Sequence, residues 1–245
     1  AIIPVHFAGK SCKIKEVSSI ARKNNVSIIE DCAHAIGARI NKKHVGTFGQ
    51  LGCFSFYPTK NFTTIEGGMI ITNSKKIADF VHAARNHGIS KTLVSRFSKG
   101  KPWDYDIHEP GYNYRLDEIR AALGINQIKR IGKMNHLRKK AANYYTKKLE
   151  NVEGIIVPNE SNSAEHVHHL YVIRITRKYG ITRDVLFQKL LRDGIRTSVH
   201  YKPLHKFTAI KKIAKKFNSL SSSKYVYSQI LSLPIYPSIS KKQQD

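Results

Sequence analysis

Acidic residues and cysteine are scarce in this sequence. Its 245 residues hold 17 Asp and Glu against 42 Lys and Arg, which gives a formal net charge of +25. The three cysteines are scattered and form no Cys-x-x-Cys pair, so the sequence predicts neither a disulfide framework nor a cysteine metal site. No apolar run approaches the roughly 20 residues of a membrane span. We therefore expect a protein of the reducing cytoplasm that does not span a membrane.

The basic residues are spread along the chain and include seven Lys-Lys pairs, which fall mostly on predicted helical or loop positions between apolar residues. This pattern is typical of solvated helix and loop surfaces. A basic surface also attracts polyanions without regard to their sequence, so a polyanion-binding protein is one hypothesis. No motif of a known nucleic-acid-binding module occurs, and we expect no specific nucleic-acid binding. The charge would instead help to steer an anionic substrate.

The order of predicted elements favours an α/β fold with a mostly parallel sheet, because the chain opens as strand, helix, strand. A long predicted helix, which Gly132 would break or kink, separates a larger domain (residues 1–130) from a smaller one (131–245). The first domain is predicted to contain strands at 2–7, 26–31, 52–56 and 68–72, and helices at 14–24 and 74–86, and the long helix at 117–149 bridges the two domains. The second is predicted to contain strands at 170–176 and 197–200, and helices at 182–193, 207–218 and 222–231.

Lys60 and Asp31 are the first candidates for chemistry. Lys60 lies in a partly apolar loop after a predicted strand, where a lysine amine can serve as a nucleophile. Asp31 ends the buried-looking strand Val26–Asp31, where a carboxylate can partner a pyridinium nitrogen. Taken alone, Lys60 is more often a solvated lysine and Asp31 more often a helix N-cap. Their combination fits pyridoxal phosphate chemistry.

The surrounding motifs extend this pattern over nearly the whole chain. In order they are Glu30–Ala38, Phe54–Lys60, Glu66–Gly68, Gly111–Leu116, Glu118–Gly124, His169–Val172, Val199–His205 and Ser232–Pro237. With these motifs the chain resembles the DegT/DnrJ/EryC1/StrS family of pyridoxal-phosphate-dependent sugar aminotransferases. The resemblance implies fold type I of these transferases, which is aspartate aminotransferase-like, with a partial large domain and a smaller C-terminal α/β domain.

The resemblance also implies roles for individual residues. Lys60 would be the Schiff-base lysine, and Asp31 would hold the pyridinium nitrogen. His34 would lie near the ring and its phenolic oxygen, and Ser55 would bond the cofactor phosphate. Asn113 would reach the phosphate of the neighbouring subunit in a homodimer, and Arg115 and His200 would contact the substrate end of the site.

The implied reaction is a ping-pong transamination. An amino acid, expected to be glutamate, would give its amino group to a keto group on a nucleotide-linked sugar, in polysaccharide biosynthesis. A basic loop at 90–110 is the expected determinant of sugar specificity. Sugar dehydratases of the same fold carry His at the lysine position, so Lys60 argues against that activity. A catalytically impaired fragment or a non-catalytic relative is a further hypothesis.

Structural interpretations of the same residues remain open at this point. Ser55 fits the polar position of a half-buried strand, and His34 fits a hydrogen-bonded core histidine. Asn113 and Arg115 fit polar residues at the start of a helix.

Two features depart from the family pattern. Ile65 stands where a glycine is expected, and a β-branched residue resists a positive φ, so either this position is not left-handed or the turn after Lys60 is altered. The chain also begins within a predicted strand, and no Gly-rich phosphate turn precedes Asp31. We therefore expect a fragment of a longer enzyme or a degraded relative.

Overall fold

The computed structural model describes residues 1–89, 95, 97, 98, 102–159, 164–213 and 220–245. The described residues form two compact units. The first comprises those of Ala1–Gly132 and Ser163–His166, and the second those of Lys133–Asn162 and Val167–Asp245. No helix in the described ranges is both long and apolar enough to cross a membrane.

Helices and strands alternate through much of the chain, as expected of an α/β fold. The helices are α1 (Ile14–Lys23), α2 (Lys75–Ala84), α3 (Glu118–Leu149), α4 (Arg183–Arg192), α5 (Thr208–Ile213), α6 (Ser221–Tyr227) and α7 (Lys241–Gln244). The strands are β1 (Ile29–Asp31), β2 (Arg39–Ile40), β3 (Lys43–His44), β4 (Leu51–Ser55), β5 (Gly68–Ile71), β6 (Ile155–Ile156), β7 (Ala164–Glu165), β8 (Tyr171–Ile175) and β9 (Ile230–Leu233).

The sheet that carries the candidate site lies in the first unit. Strand β1 pairs in parallel with β4, and β4 pairs antiparallel with β5. The predicted strand at 2–7 is present only as parallel bridges from Ile2 to Ile28 and from Val5 to Asp31, followed by a 3-10 turn at Phe7–Gly9. A second small sheet has the order β3-β2-β7. Helix α1 buries Ile14 and Ala21 against Ile28 and Ile40, which fixes the start of β1.

The second unit is built around an antiparallel sheet of order β6-β8-β9. Tyr171, Ile173 and Ile175 alternate along β8 and are buried against Leu231 of β9, as the period of a strand requires. Ala142 and Tyr145 of α3 complete this core. The expected N-cap of α4 is present, since the Thr182 hydroxyl accepts a hydrogen bond from Val185 N at 3.3 Å.

Several predicted boundaries were wrong. Helix α3 runs unbroken through Gly132, because one glycine costs a helix only about 1 kcal/mol, which packing overcomes. The predicted helix at 222–231 ends at Tyr227, and Ile230 and Leu231 belong to β9, where pairing with β8 buries both. The predicted strand at 197–200 is reduced to a bridge between Ser198 and Ser232.

Two predictions fall partly on residues that the structure does not describe. Of the predicted helix at 207–218, α5 covers Thr208–Ile213, and residues 214–219 lie outside the described ranges. Of the proposed specificity loop, residues 90–94, 96 and 99–101 lie outside them.

Candidate active site

Asp31 ends β1 on the face of the sheet that also carries Ser55. Asp31 pairs with Cys53 of β4, and Ser55 lies two residues further along β4, so their side chains share one face. The position of Asp31 is set by its backbone, whose N–H donates to Pro4 O at 2.9 Å and whose carbonyl accepts from His6 N at 3.0 Å. Its carboxylate accepts from Ala33 N at 3.0 Å.

Lys60 follows a tight turn after β4, in which Lys60 N donates to Tyr57 O at 3.0 Å. Its side chain is partly buried. Burial lowers the pKa of Lys60, while the charge of Asp31 acts in the opposite direction. Lys60 and Asp31 are therefore electrostatic neighbours. The lowered pKa favours the neutral amine, which is the nucleophilic form.

His34 and Ser55 lie on the two chain segments that follow β1 and end β4. His34 is buried, and its Nδ1 accepts from Ala8 N at 3.3 Å, so the neutral ring carries its proton on Nε2. The ring of Phe7 lies 6.0 Å from the His34 ring, centroid to centroid. The Ser55 hydroxyl oxygen accepts from Tyr57 N at 3.4 Å. The structure therefore places both residues on the segments that carry Asp31 and Lys60.

Ile65 adopts the left-handed conformation that a glycine would favour, with φ of 72°. The turn after Lys60 is thus retained rather than altered. Thr63 supports it, because its hydroxyl donates to Phe56 O at 2.9 Å and accepts from Ile65 N at 2.9 Å. Thr64 N also donates to Phe56 O at 3.0 Å. These bonds hold a conformation that costs a β-branched residue energy.

Asn113 and Arg115 lie together just before α3, and both are exposed. The Asn113 side-chain oxygen accepts from Arg115 Nε at 3.0 Å, and the Asn113 backbone bridges to Asn86. His200 belongs to the second unit, where its Nδ1 lies 2.8 Å from the Ser232 hydroxyl oxygen. The structure thus groups Asp31, Lys60, Ser55 and His34 around the ends of β1 and β4 in the first unit, whereas His200 belongs to the second.

Glu30 and His6 are prominent residues for which the sequence analysis gave no role. Glu30 is fully buried and lies 2.9 Å from His6 Nε2 through its Oε2. Three backbone N–H groups also donate to its carboxylate, from Gly46, Phe48 and Gly49, at 2.6 to 2.7 Å. Desolvation raises the pKa of Glu30, but these hydrogen bonds outweigh it, and the pKa is lowered. A charged residue inside an otherwise buried strand was the available signal in the sequence.

A cavity of about 440 Å³ lies on the opposite face of β4. It is lined by Phe54, Phe56 and Met69, which alternate with the residues of the Asp31 face, and by residues of α3. Its lining is almost wholly apolar. The carboxylate of Asp31 and the hydroxyl of Ser55 lie on the other face of the sheet.

The comparisons with known proteins agree with one another. A family model described as "DegT/DnrJ/EryC1/StrS aminotransferase family" matches residues 1–245. The chain is 41% identical to an uncharacterized protein of Methanocaldococcus jannaschii, over 97% of this chain and 62% of that protein. It is 34% identical to the spore coat polysaccharide biosynthesis protein SpsC of Bacillus subtilis, over 100% of this chain and 64% of that protein.

The chain is also similar to an enzyme with a named substrate and to solved structures. The chain is 34% identical to the UDP-4-amino-4,6-dideoxy-N-acetyl-beta-L-altrosamine transaminase of Campylobacter jejuni, over 99% of this chain and 62% of that enzyme. Helicobacter pylori PseC, an aminotransferase of pseudoaminic acid biosynthesis, matches with a TM-score of 0.89 and 27% identity, over 99% of this chain and 63% of that chain.

A Brucella abortus aminotransferase matches with a TM-score of 0.86 and 31% identity, over 100% of this chain and 61% of that chain. The chain thus spans less than two thirds of the length of these relatives. The resemblance seen in the motifs and the predicted aspartate aminotransferase-like α/β fold are confirmed.

Proposed function

Because the chain belongs to the DegT/DnrJ/EryC1/StrS aminotransferase family, we propose that the protein containing it is a sugar aminotransferase that binds pyridoxal phosphate through Lys60. It transfers an amino group from an amino acid, glutamate, to a keto group of a nucleotide-linked sugar. The observation that carries this proposal is the position of the partly buried Lys60 in the turn after β4, where the charge of Asp31 at the end of the adjacent strand β1 raises the pKa of its amine against the effect of burial.

The residues present fit the cofactor. A carboxylate suits a pyridinium nitrogen, and an amine of lowered pKa suits an aldehyde. The Ser55 hydroxyl suits a phosphate oxygen, and the His34 ring, held through Nδ1 by Ala8 N, suits a position beside the cofactor ring. When bound, pyridoxal phosphate supplies an electron sink for negative charge at the donor's α-carbon.

The chain's own residues then orient the reactants and move protons. With the cofactor bound, the Asp31 carboxylate would keep a proton on the ring nitrogen, since a nearby negative charge raises the pKa of that nitrogen. Lys60 Nζ, as a free amine, would accept the proton from the donor's α-carbon and deliver it to the cofactor. Burial of Lys60 aids this step, because a general base works only in its neutral form.

The exposed pair Asn113 and Arg115 is assigned to a homodimer, in which Asn113 reaches the partner's cofactor phosphate and Arg115 the substrate. The exposure of both side chains supports this assignment, since a group that serves a second chain must be accessible to it. His200 is assigned to the substrate end. We assign residues 1–130 to a cofactor-binding domain and 131–245 to a smaller domain of a cytoplasmic enzyme of polysaccharide biosynthesis, the process named for the relative SpsC.

Covalent labelling tests the proposal directly. The protein that contains this chain is mixed with pyridoxal phosphate, reduced with borohydride and digested, and we expect the cofactor mass on the peptide with Lys60. Lys60→Arg should abolish the label, while Lys75→Arg, a change at an exposed lysine paired with Asp79, should not. A label on another lysine would contradict the proposal. Cofactor binding that depends only on the salt concentration, as expected of a polyanion-binding protein, would contradict it as well.

Turnover tests the role of Asp31. Asp31→Asn keeps the shape of the side chain but not the charge that retains the ring proton. We expect turnover to fall at least about 10²–10³-fold, as when an electrostatic stabiliser is removed, with a smaller loss of cofactor binding. Near-normal turnover would mean that another acid serves the ring nitrogen.

A further inference from the structure

Glu30 and His6 lie directly behind the candidate site. Side chains alternate along β1, so Glu30 points to the face opposite Asp31. Each carboxylate oxygen of Glu30 has two donors within 2.9 Å, His6 Nε2 with Gly46 N on one and Phe48 N with Gly49 N on the other. A buried carboxylate with four donors therefore links the chain segments that carry those donors, here the segment with His6 and the loop 46–49.

We propose that Glu30 and His6 form a positioning pair that fixes the place of Asp31 at the end of β1. The proposal rests on the proposed function of Asp31 and Lys60. It adds residues that touch neither cofactor nor substrate and that act through the backbone of Asp31.

The link from the pair to the site runs through the segment that begins at Pro4. His6 bonds Glu30 with its side chain and the carbonyl of Asp31 with its backbone N–H, at 3.0 Å. The Pro4 carbonyl accepts a hydrogen bond from Asp31 N. Ala8, two residues after His6, donates a hydrogen bond from its backbone N–H to His34 Nδ1. His6 Nδ1 accepts from Cys12 N at 3.3 Å, so Nε2 is the donor toward Glu30. One segment is therefore bonded to Glu30, Asp31 and His34.

The other side of the pair is the loop 46–49. Gly52 of β4 pairs with Glu30, and a Cβ at position 52 would lie 2.5 Å from the Gly46 Cα atom. Only a glycine there lets the loop come close enough to donate to Glu30. Substitution of Gly52 therefore offers a way to displace the loop while leaving Glu30 and His6 unchanged.

A metal site formed by the same residues is a less favoured interpretation. His6, Glu30 and Cys32 place ligand atoms within 4.8 Å of one another. However, both ring nitrogens of His6 and both oxygens of Glu30 are engaged in hydrogen bonds. Burial raises the pKa of the Cys32 thiol, so the thiolate that a metal requires is disfavoured.

The test uses the titration of Lys60, which needs no cofactor. Asp31 raises the pKa of Lys60, so displacement of Asp31 should lower it. We would measure the rate of Lys60 acetylation against pH, peptide by peptide, in the protein that contains this chain. Glu30→Gln is expected to shift the midpoint to lower pH by an amount comparable with Asp31→Asn. His6→Gln and Gly52→Ala are expected to shift it in the same direction.

The controls separate positioning from general stability. Glu16→Gln, at an exposed carboxylate of α1, should leave the midpoint unchanged. A Glu30→Gln protein that is less stable but keeps the wild-type midpoint would overturn the proposal. If Glu30→Gln does not fold, a wild-type midpoint in both His6→Gln and Gly52→Ala would overturn it equally. Because borohydride labelling of Lys60 is scored separately, failure of the proposed function is distinguishable from failure of this proposal.

Discussion

Glu30 in the first unit and Arg138 in the second are both buried charged residues that bind backbone groups. The environment of Glu30 favours its charged form, whereas the environment of Arg138 disfavours its charged form. Glu30 accepts from three backbone N–H groups and His6, and its pKa is lowered although burial would raise it. Arg138 Nη1 donates to the carbonyls of His168, His169 and Ile235, at 3.0 to 3.4 Å. Burial nevertheless lowers the pKa of Arg138 to about 10.

The contrast shows that a buried charge contributes to stability only when its partners outweigh desolvation. For Glu30 the hydrogen bonds are short and satisfy both carboxylate oxygens, so the charged form is favoured in the folded state. For Arg138 desolvation prevails, and the folded state disfavours the charge. We therefore expect substitutions of the two residues to lower the free energy of unfolding by different amounts. We also expect the two units to differ in their response to acid.

The largest effect is expected for Glu30→Ala. It leaves four buried donors without their acceptor, and a buried unsatisfied donor costs roughly 1–3 kcal/mol. Allowing for relaxation, we expect the free energy of unfolding to fall by about 3–5 kcal/mol, as when a buried ion pair loses one partner. Urea denaturation followed by circular dichroism measures it. Glu16→Ala, at an exposed residue, serves as the control and should stay within about 0.5 kcal/mol of wild type.

Arg138→Met is expected to have a smaller effect. Methionine keeps most of the aliphatic volume and removes the desolvation cost, but three carbonyls lose a donor. We expect a loss of about 1–3 kcal/mol in the free energy of unfolding. Lys139→Met, at the neighbouring exposed position of α3, is the matched control. A loss larger than that of Glu30→Ala, measured in the same urea series, would reverse the comparison.

The response to acid should distinguish the two units. The pKa of Glu30 is lower in the folded state than in the unfolded chain, so its contribution to stability is present above the unfolded pKa. That contribution is lost as the pH falls below about 4.3 toward the lowered pKa. Arg138 keeps its proton throughout this range. Protection from hydrogen exchange, corrected for the intrinsic pH dependence of amide exchange, should therefore fall first in peptides 29–31 and 46–49 between pH 5 and pH 3, and Glu30→Gln should remove this fall.

The sequence points to candidate residues for chemistry but not to the residues that support them. Asp31 and Lys60 are proposed as site residues because a carboxylate ending a strand and a lysine in a structured loop fit one kind of chemistry. Glu30 precedes Asp31 in the same motif but received no role, since its partners are the backbone N–H groups of a loop. Backbone donors carry no signature in the sequence, and only the fold brings positions 46–49 to strand β1.

The fold itself was predicted where local patterns decide it. Strand β8 was predicted within two residues of its observed ends, because its buried residues alternate clearly, and helix α3 was predicted equally closely. Strand β9 was predicted as part of a helix, because Ile230 and Leu231 continue an apolar pattern and only pairing with β8 makes them a strand. Tertiary context overrides propensity at such positions.

The smallest expected effect concerns backbone strain, which also differs between the units. Ile65 in the first unit is left-handed and largely exposed, so Ile65→Gly relieves strain and loses little packing. We expect the free energy of unfolding to rise by about 0.5–1 kcal/mol, the left-handed penalty less the entropy cost of glycine. Ile65→Ala keeps the Cβ atom and should gain much less.

His168 in the second unit is also left-handed but buried, so His168→Gly should destabilise, because the lost packing of the ring exceeds the relieved strain. Thermal denaturation of the three variants measures both signs, and a destabilised Ile65→Gly would show that the conformation of Ile65 is not strained.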